Sequence, residues 1–239
     1  MDNLVKKRIA IIPARGGSKR IPKKNIIDFF GKPMIAWTIE SAIQTNLFDT
    51  VLVSTDSEEI AEISKSYGAE VPFLRDKYAD DFSTVSSATL SALRQLKKFN
   101  GQSYETVTQL MPNCPLRSSK NIIDQQEFFE NSITKNSLLS GFNYGMFNPW
   151  WAHIKNDDNT YKKVFSEFST TKRAQDLESL ICPSGATWIS TVNNLEKFKS
   201  FYSSPYSFYN FNWHEVVDID DSNDLILAKA AFKILNGEI

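Results

Sequence analysis

The sequence predicts an α/β protein, a mostly parallel sheet flanked by helices with a small inserted antiparallel lobe. Three observations lead there. Short β-branched runs alternate with helical stripes as far as Phe129. From about residue 136 to 184 the stripes fade and aromatics accumulate, among them Phe142, Tyr144, Trp150, Trp151 and Phe165. The alternation then resumes to the C-terminus. At 239 residues the chain suits one domain, residues 1–239, with the lobe included.

In chain order, residues 9–14 are short, β-branched and uninterrupted, as in a strand buried on both faces. Pro33 suits the first turn of a helix to about Thr45, with Met34, Ile35, Ile39 and Ala42 as its stripe. Residues 51–54 form a second strand. Asp56 is the expected cap of the next helix, with Glu59 completing the box. A brief strand is expected at 71–74, a helix at 86–99, a strand at 107–110 and a helix at 122–129. After the lobe come strands at 186–191 and 216–219. The last helix begins at Asp221, with Asp224 three residues on.

Composition narrows the function. Hydrophobic residues are 41% and charged residues 23%, ordinary for a globular chain. A net charge of −1 gives no basic field for nucleic acid. No apolar run approaches a membrane span, and the run at 9–13 is too short for a signal sequence. Cys114 and Cys182 make neither a disulfide framework nor a metal cluster, which fits a soluble, cytoplasmic protein.

The most informative stretch is IIPARGGSKRIPKKN, residues 11–25. A core strand empties into glycine and positive charge. Ligands of doubly wound folds sit beyond the carboxyl ends of strands. Gly16 and Gly17 are expected to take positive φ and to let backbone N–H groups cradle an anion. Eight Lys or Arg and no acid lie between Lys6 and Lys24. The spacing matches neither the Walker A loop nor the dinucleotide fingerprint. A solvated basic turn is the bland alternative, and a polyphosphate is the ligand that fits best.

The second feature is VVDIDD, residues 216–221. On a strand, Asp218 and Asp220 share one face. With no cation beside them in sequence they repel each other and call for a metal. Carboxylates next to a polyphosphate suit Mg²⁺. The alternative is a cap for the last helix, a role Asp221 fills.

PARGGSKRIPKKN resembles the opening signature of the CMP-sialic acid (N-acylneuraminate) synthetase group of nonulosonate cytidylyltransferases. GKPMIAWTIESA, FDTVLVSTDSEEIAEISKSYGAEVPFLR, MPNCPLR, RAQDL, PSGATWI and VDIDDSNDL follow in family order. The likeness runs from Arg8 to the last helix. It implies a Rossmann-like nucleotidyltransferase fold whose inserted lobe serves dimerisation. It also implies transfer of CMP from CTP to a nonulosonic acid, for surface glycan biosynthesis. A group that activates the sugar Kdo has a differently worded first loop. Kdo activation, another base, and a nucleotide-binding module without turnover remain the competing readings.

The resemblance assigns Arg15, Gly16, Gly17, Ser18, Lys24 and Asn25 to CTP. Arg15 and Lys24 would neutralise the leaving pyrophosphate. Arg75 would stand near the nucleotide, with Asp81, Ser83 and Ser87 bordering cytosine and ribose. Asp218 and Asp220 would hold catalytic Mg²⁺. Arg173, Ser184 and Gly185 would lie on the sugar side, Arg173 taking the acceptor carboxylate. Lys19 and Arg20 divide between ligand and solvent.

Two departures bear on the acceptor. The family glutamine of QPTSPLR is Met111 here, and NPWWAH replaces a segment that usually carries a lysine. A thioether cannot make the glutamine's hydrogen bond, which points to a modified nonulosonate of legionaminic or pseudaminic type. Trp150 and Trp151 are candidates for stacking on it or for packing. A homodimer is expected from the family.

Overall fold

The fold was obtained as a computed structural model, which describes residues 7–76, 84–133, 136–165 and 173–238. The strands are β1 Arg8–Pro13, β2 Asp28–Phe29, β3 Lys32–Pro33, β4 Thr50–Ser54, β5 Thr106–Leu110, β6 Ser137–Asn143, β7 His153–Lys155, β8 Tyr161–Lys163, β9 Ile181–Thr191 and β10 Tyr206–Phe211. The helices are α1 Met34–Gln44, α2 Glu58–Ser66, α3 Val85–Asn100, α4 Ser119–Asn131, α5 Val192–Phe198 and α6 Ser222–Leu235. No described helix is long and apolar enough to cross a membrane.

Six strands form the central sheet in the order β10-β6-β9-β5-β1-β4. β1 pairs in parallel with β4 and β5, and β10 with β6, while β9 runs antiparallel to β5 and β6. The sheet is thus mostly parallel, as expected. β1 shows why its sequence is apolar from Ile9 onward. Ala10 and Ile12 pack with Ile35 and Ile39 of α1 and Ile60 of α2. Ile9 and Ile11 face the other way, onto Leu90, Leu93 and Leu96 of α3. Helices on both faces leave a central strand no polar side.

A third cluster fixes the C-terminus. Phe29, Met34, Val217, Ile219, Ala228 and Ala231 are buried together. Phe232 of α6 stacks on Phe30 with centroids 3.9 Å apart and meets Phe29 edge-on at 5.8 Å. The segment 216–220 is thereby pressed onto α1 and the hairpin of β2 and β3.

Several expectations need correction. Residues 71–74 form no strand; only Glu70 bridges to Leu52. Residues 216–219 are not a strand either. A short 3₁₀ turn, Trp213–Glu215, precedes them, and the Ile219 N–H donates to the Asn113 carbonyl at 2.9 Å. The apolar residues there are apolar because they are buried, not because they join the sheet. Ser57, not Asp56, caps α2, accepting from the Ile60 N–H. Asp221 does cap α6, with a reciprocal bond from Asp224. The inserted segment is also shorter than 136–184. β6 and β9 belong to the central sheet, and the antiparallel excursion is the β7–β8 hairpin. There Trp150 packs edge-on against Phe165 at 5.1 Å and donates its indole N–H to the Glu178 carbonyl. Trp151 is half exposed.

Phe29→Ala removes the ring on which Phe30, Trp37 and Phe232 converge, so it should cost about 3–5 kcal/mol in urea unfolding. Phe147→Ala, at an exposed position, should stay within about 0.5 kcal/mol of the parent.

Candidate active site

The cation loop leaves β1 at the carboxyl end of the sheet. Its first residues are fixed from beneath by Asp56, whose Oδ1 accepts the Gly16 N–H at 2.8 Å. That contact explains why Asp56 does not cap α2. A Cβ on Gly16 would stand 3.0 Å from Cβ of Ser57, so the glycine permits close approach to the start of α2. Neither Gly16 nor Gly17 has a positive φ, contrary to expectation; the left-handed residue of the loop is Lys23, at φ 54°. Asn25 is buried and donates from Nδ2 to the Arg15 carbonyl at 3.0 Å, closing the loop on itself. Lys23 pairs with Glu59 at 2.7 Å and pins the far side to α2.

Arg75 lies under this loop, 6% exposed, with no hydrogen-bond partner on Nε. Burial lowers its pKa, Asp56 opposes that, and the neighbouring Arg15 adds to it. Arg15, Arg75 and Asp56 thus form one electrostatic group.

Across the loop stand Asp218 and Asp220, and here the expectation of an acid pair without cations is overturned. Lys24 Nζ is 2.8 Å from Asp220 Oδ1 and 2.8 Å from the Ile219 carbonyl. An Arg20 guanidinium nitrogen is 2.9 Å from Asp220 Oδ2. Between the loop and Asp220 lies a cleft of about 250 Å³, lined by Arg15, Ser18, Lys24 and Asn25 among others. Burial opposes the Asp220 charge, but Lys24 and then Arg20 outweigh it, and the carboxyl pKa falls below the ordinary value. Asp218 behaves oppositely. Burial, then the charge of Asp220, raise its pKa against the pull of Lys24, the Gly185 N–H and Asn113. A larger hollow of about 650 Å³, beside Lys120, Asn143 and Trp213, is lined by none of the expected site residues.

The sugar-side expectations divide. Gly185 donates its N–H to Asp218 Oδ2 at 3.3 Å. A Cβ there would lie 2.8 Å from that oxygen and 3.0 Å from Cγ of Met111. Met111, Gly185 and Asp218 are therefore in contact, and only glycine fits between them. Ser184 is a correction: it is 3% exposed, and its hydroxyl donates to the Val216 carbonyl at 2.7 Å while accepting from the Ala186 N–H. It fastens β9 to the acidic segment and presents nothing to a sugar. Arg173 is exposed and forms a two-point pair with Asp176 at 3.0 and 3.3 Å, the surface arrangement. Ser87 sits in the first turn of α3, its N–H capped by Thr84 Oγ1 at 3.1 Å. Asp81 and Ser83 fall outside the described residues.

Three residues of the site were missed in the sequence. Asn113, 1% exposed, donates from Nδ2 to Asp218 Oδ1, to the Ile219 carbonyl at 2.9 Å and towards Asp220 Oδ1 at 3.5 Å. One amide thus spans the whole acidic segment. Cys114 is fully buried beside Asp218, and burial, then the Asp218 charge, push its thiol pKa well up. Arg117 is fully buried with no carboxylate partner among the described residues. It donates to the Ala186 carbonyl and weakly to that of Met111. Burial lowers its pKa to about 10, partly offset by Cys114. The available signal was the wording MPNCPLR: an asparagine and an arginine in an apolar turn, where QPTSPLR has threonine and arginine.

The family model described as cytidylyltransferase matches residues 9–131. The chain belongs to the cytidylyltransferase family. Among curated relatives, the pseudaminic acid cytidylyltransferase of Campylobacter jejuni subsp. jejuni serotype O:23/36 is 36% identical over 231 residues, 95% of this chain and 97% of that one. The CMP-N,N'-diacetyllegionaminic acid synthase of Legionella pneumophila is 31% identical, covering 95% and 96%. The N-acylneuraminate cytidylyltransferase of Escherichia coli O18:K1:H7 is 30% identical over 93% of this chain and 51% of its own. Among solved structures, CMP:2-keto-3-deoxy-manno-octonic acid synthetase complexed with CTP aligns at TM-score 0.69 and 14% identity, covering 98% of this chain and 100% of that one. That likeness is one of fold.

In this cytidylyltransferase the acidic segment is positioned by one buried amide. Asn113→Ala leaves Asp218 with the Gly185 N–H and the weak thiol donor of Cys114. We expect kcat to fall about 10–100-fold, as when a group orienting a ligand is lost. The CTP dissociation constant from calorimetry should change far less.

Proposed function

We propose that this cytidylyltransferase transfers CMP from CTP to the anomeric hydroxyl of a nonulosonic acid of sialic, legionaminic or pseudaminic type, releasing pyrophosphate. The observation that carries the reading is the cleft itself, with a glycine-rich cation loop on one wall and Asp220 on the other. The relatives named for pseudaminic and legionaminic acids, at 36% and 31% identity over 95% of this chain, support the acceptor class.

Arg15, Ser18, Lys24 and Asn25, with the backbone of Gly16 and Gly17, would hold the triphosphate, and Arg75 would support Arg15 from below. The acceptor hydroxyl attacks the α-phosphorus and gives up its proton. The bond from that phosphorus to the bridging oxygen breaks, and its electron pair leaves with pyrophosphate. Lys24 and Arg15 neutralise the charge that develops there.

Asp218 and Asp220 would hold Mg²⁺. Their hard oxygens, close enough to raise the proton affinity of Asp218, fit a small dication that shares phosphate oxygens. When bound, Mg²⁺ supplies charge neutralisation at the α-phosphate and acidifies the attacking hydroxyl. Met111, against Gly185 and Asp218, would line the acceptor side, where it offers shape without a hydrogen bond. Arg173 could take the acceptor carboxylate only by leaving Asp176. The exposed aromatics of the β7–β8 region, Phe147, Trp151 and Tyr161, accord with a homodimer. The free cysteines accord with the cytoplasm.

Pyrophosphate release from each of the four nucleoside triphosphates, with Mg²⁺ and a panel of nonulosonic acids, tests the reading. Turnover is expected with CTP and at least one such acid, and its absence throughout would overturn the proposal. On the same panel, Met111→Gln should raise kcat/KM for N-acetylneuraminate relative to the other acids. An unchanged ratio would remove Met111 from acceptor recognition.

A further inference from the structure

We propose that Arg20 is a further triphosphate-binding residue, stored on Asp220 in the nucleotide-free protein, so that arrival of CTP opens Asp220 to Mg²⁺. This rests on the CTP and Mg²⁺ reading above and adds an order of events to it.

Both carboxylate oxygens of Asp220 are engaged by cations of the same loop, Lys24 on Oδ1 and Arg20 on Oδ2. The two cations are not equivalent. The Lys24 side chain is only 15% exposed and also holds the Ile219 carbonyl, so it is seated in the wall. The Arg20 side chain is 62% exposed and reaches Asp220 across the mouth of the cleft. An ion pair so open to water contributes little and is released easily.

Arg20 lines the same cleft as Arg15, Ser18 and Lys24, so a triphosphate there lies within reach of its side chain without backbone movement. A guanidinium exchanges one carboxylate oxygen for phosphate oxygens that bear more charge and accept two-point bonds. While Arg20 stays on Oδ2, a dication approaching Asp220 meets a positive charge 2.9 Å from its ligand atom. Once Arg20 has moved to phosphate, Oδ2 faces the cleft. The two acids then become a metal site only with nucleotide in place.

Mn²⁺, followed by solvent proton relaxation at low ionic strength, is the probe. Without nucleotide, Arg20→Gln should bind Mn²⁺ about fivefold more tightly than the parent chain, a gain that shrinks with added KCl. Adding Asp220→Asn to that variant should abolish the gain. In EDTA, Arg20→Gln should weaken CTP and leave CMP, which lacks the outer phosphates, unchanged. Equal Mn²⁺ affinity of parent and Arg20→Gln would overturn the storage of Arg20 while leaving the Mg²⁺ reading intact. So would an equal effect of Arg20→Gln on CTP and CMP. Absence of any Mn²⁺ complex even with CTP would overturn the Mg²⁺ reading, and this proposal with it.

Discussion

The contact of Lys24 with Asp220 and the Ile219 carbonyl joins residues nearly two hundred positions apart, and the arrangement of the site depends on it. One partner ends the loop after β1; the other opens α6. To bring them together, α6 must lie on the β2–β3 hairpin, which the Phe29, Phe30 and Phe232 cluster secures. The loop must curl back towards its own start, which the Asn25 amide on the Arg15 carbonyl secures. Charge alone would not hold a half-exposed carboxylate in one geometry. The buried aromatic contacts and the backbone bonds do that, and the ion pair reports that they have.

The fold was legible wherever its cause was local. β1, α1, β4, α3, β5, α4 and the capped start of α6 follow from apolar spacing and cap residues. It was illegible where burial had another cause. Residues 216–219 look like a strand because Val216, Val217 and Ile219 are buried, yet Ile219 bonds to Asn113 and the Val216 carbonyl to the Ser184 hydroxyl, with no backbone ladder to a strand. β10 hid in a run of tyrosine, serine and asparagine that reads as surface, because an edge strand paired on one side only is half exposed.

The site divides in the same way. The cation loop and the two aspartates were visible because unusual charge within a short segment is a sequence property. That Asp56 serves Gly16, that Arg20 serves Asp220, and that Asn113 clamps the acidic segment are facts of tertiary contact, carried by residue types common on any surface. Ser184 shows the converse. It sits beside Gly185 as expected, but alternation along β9 turns its hydroxyl into the protein. Met111, Asn113 and Cys114, the three departures from QPTSPLR, all pack around Asp218 or the Gly185 that touches it. They form one altered wall beside Asp218 rather than three independent substitutions.

The central claim is that a free sugar acid, with no phosphate of its own, attacks the α-phosphorus of CTP. ³¹P NMR of the completed reaction of CTP with a nonulosonic acid tests this most directly. The account predicts a single phosphodiester resonance coupled to no other phosphorus, with free pyrophosphate in equal amount. Two mutually coupled resonances, the mark of a diphosphate linkage, or free CMP with unmodified sugar, would contradict it.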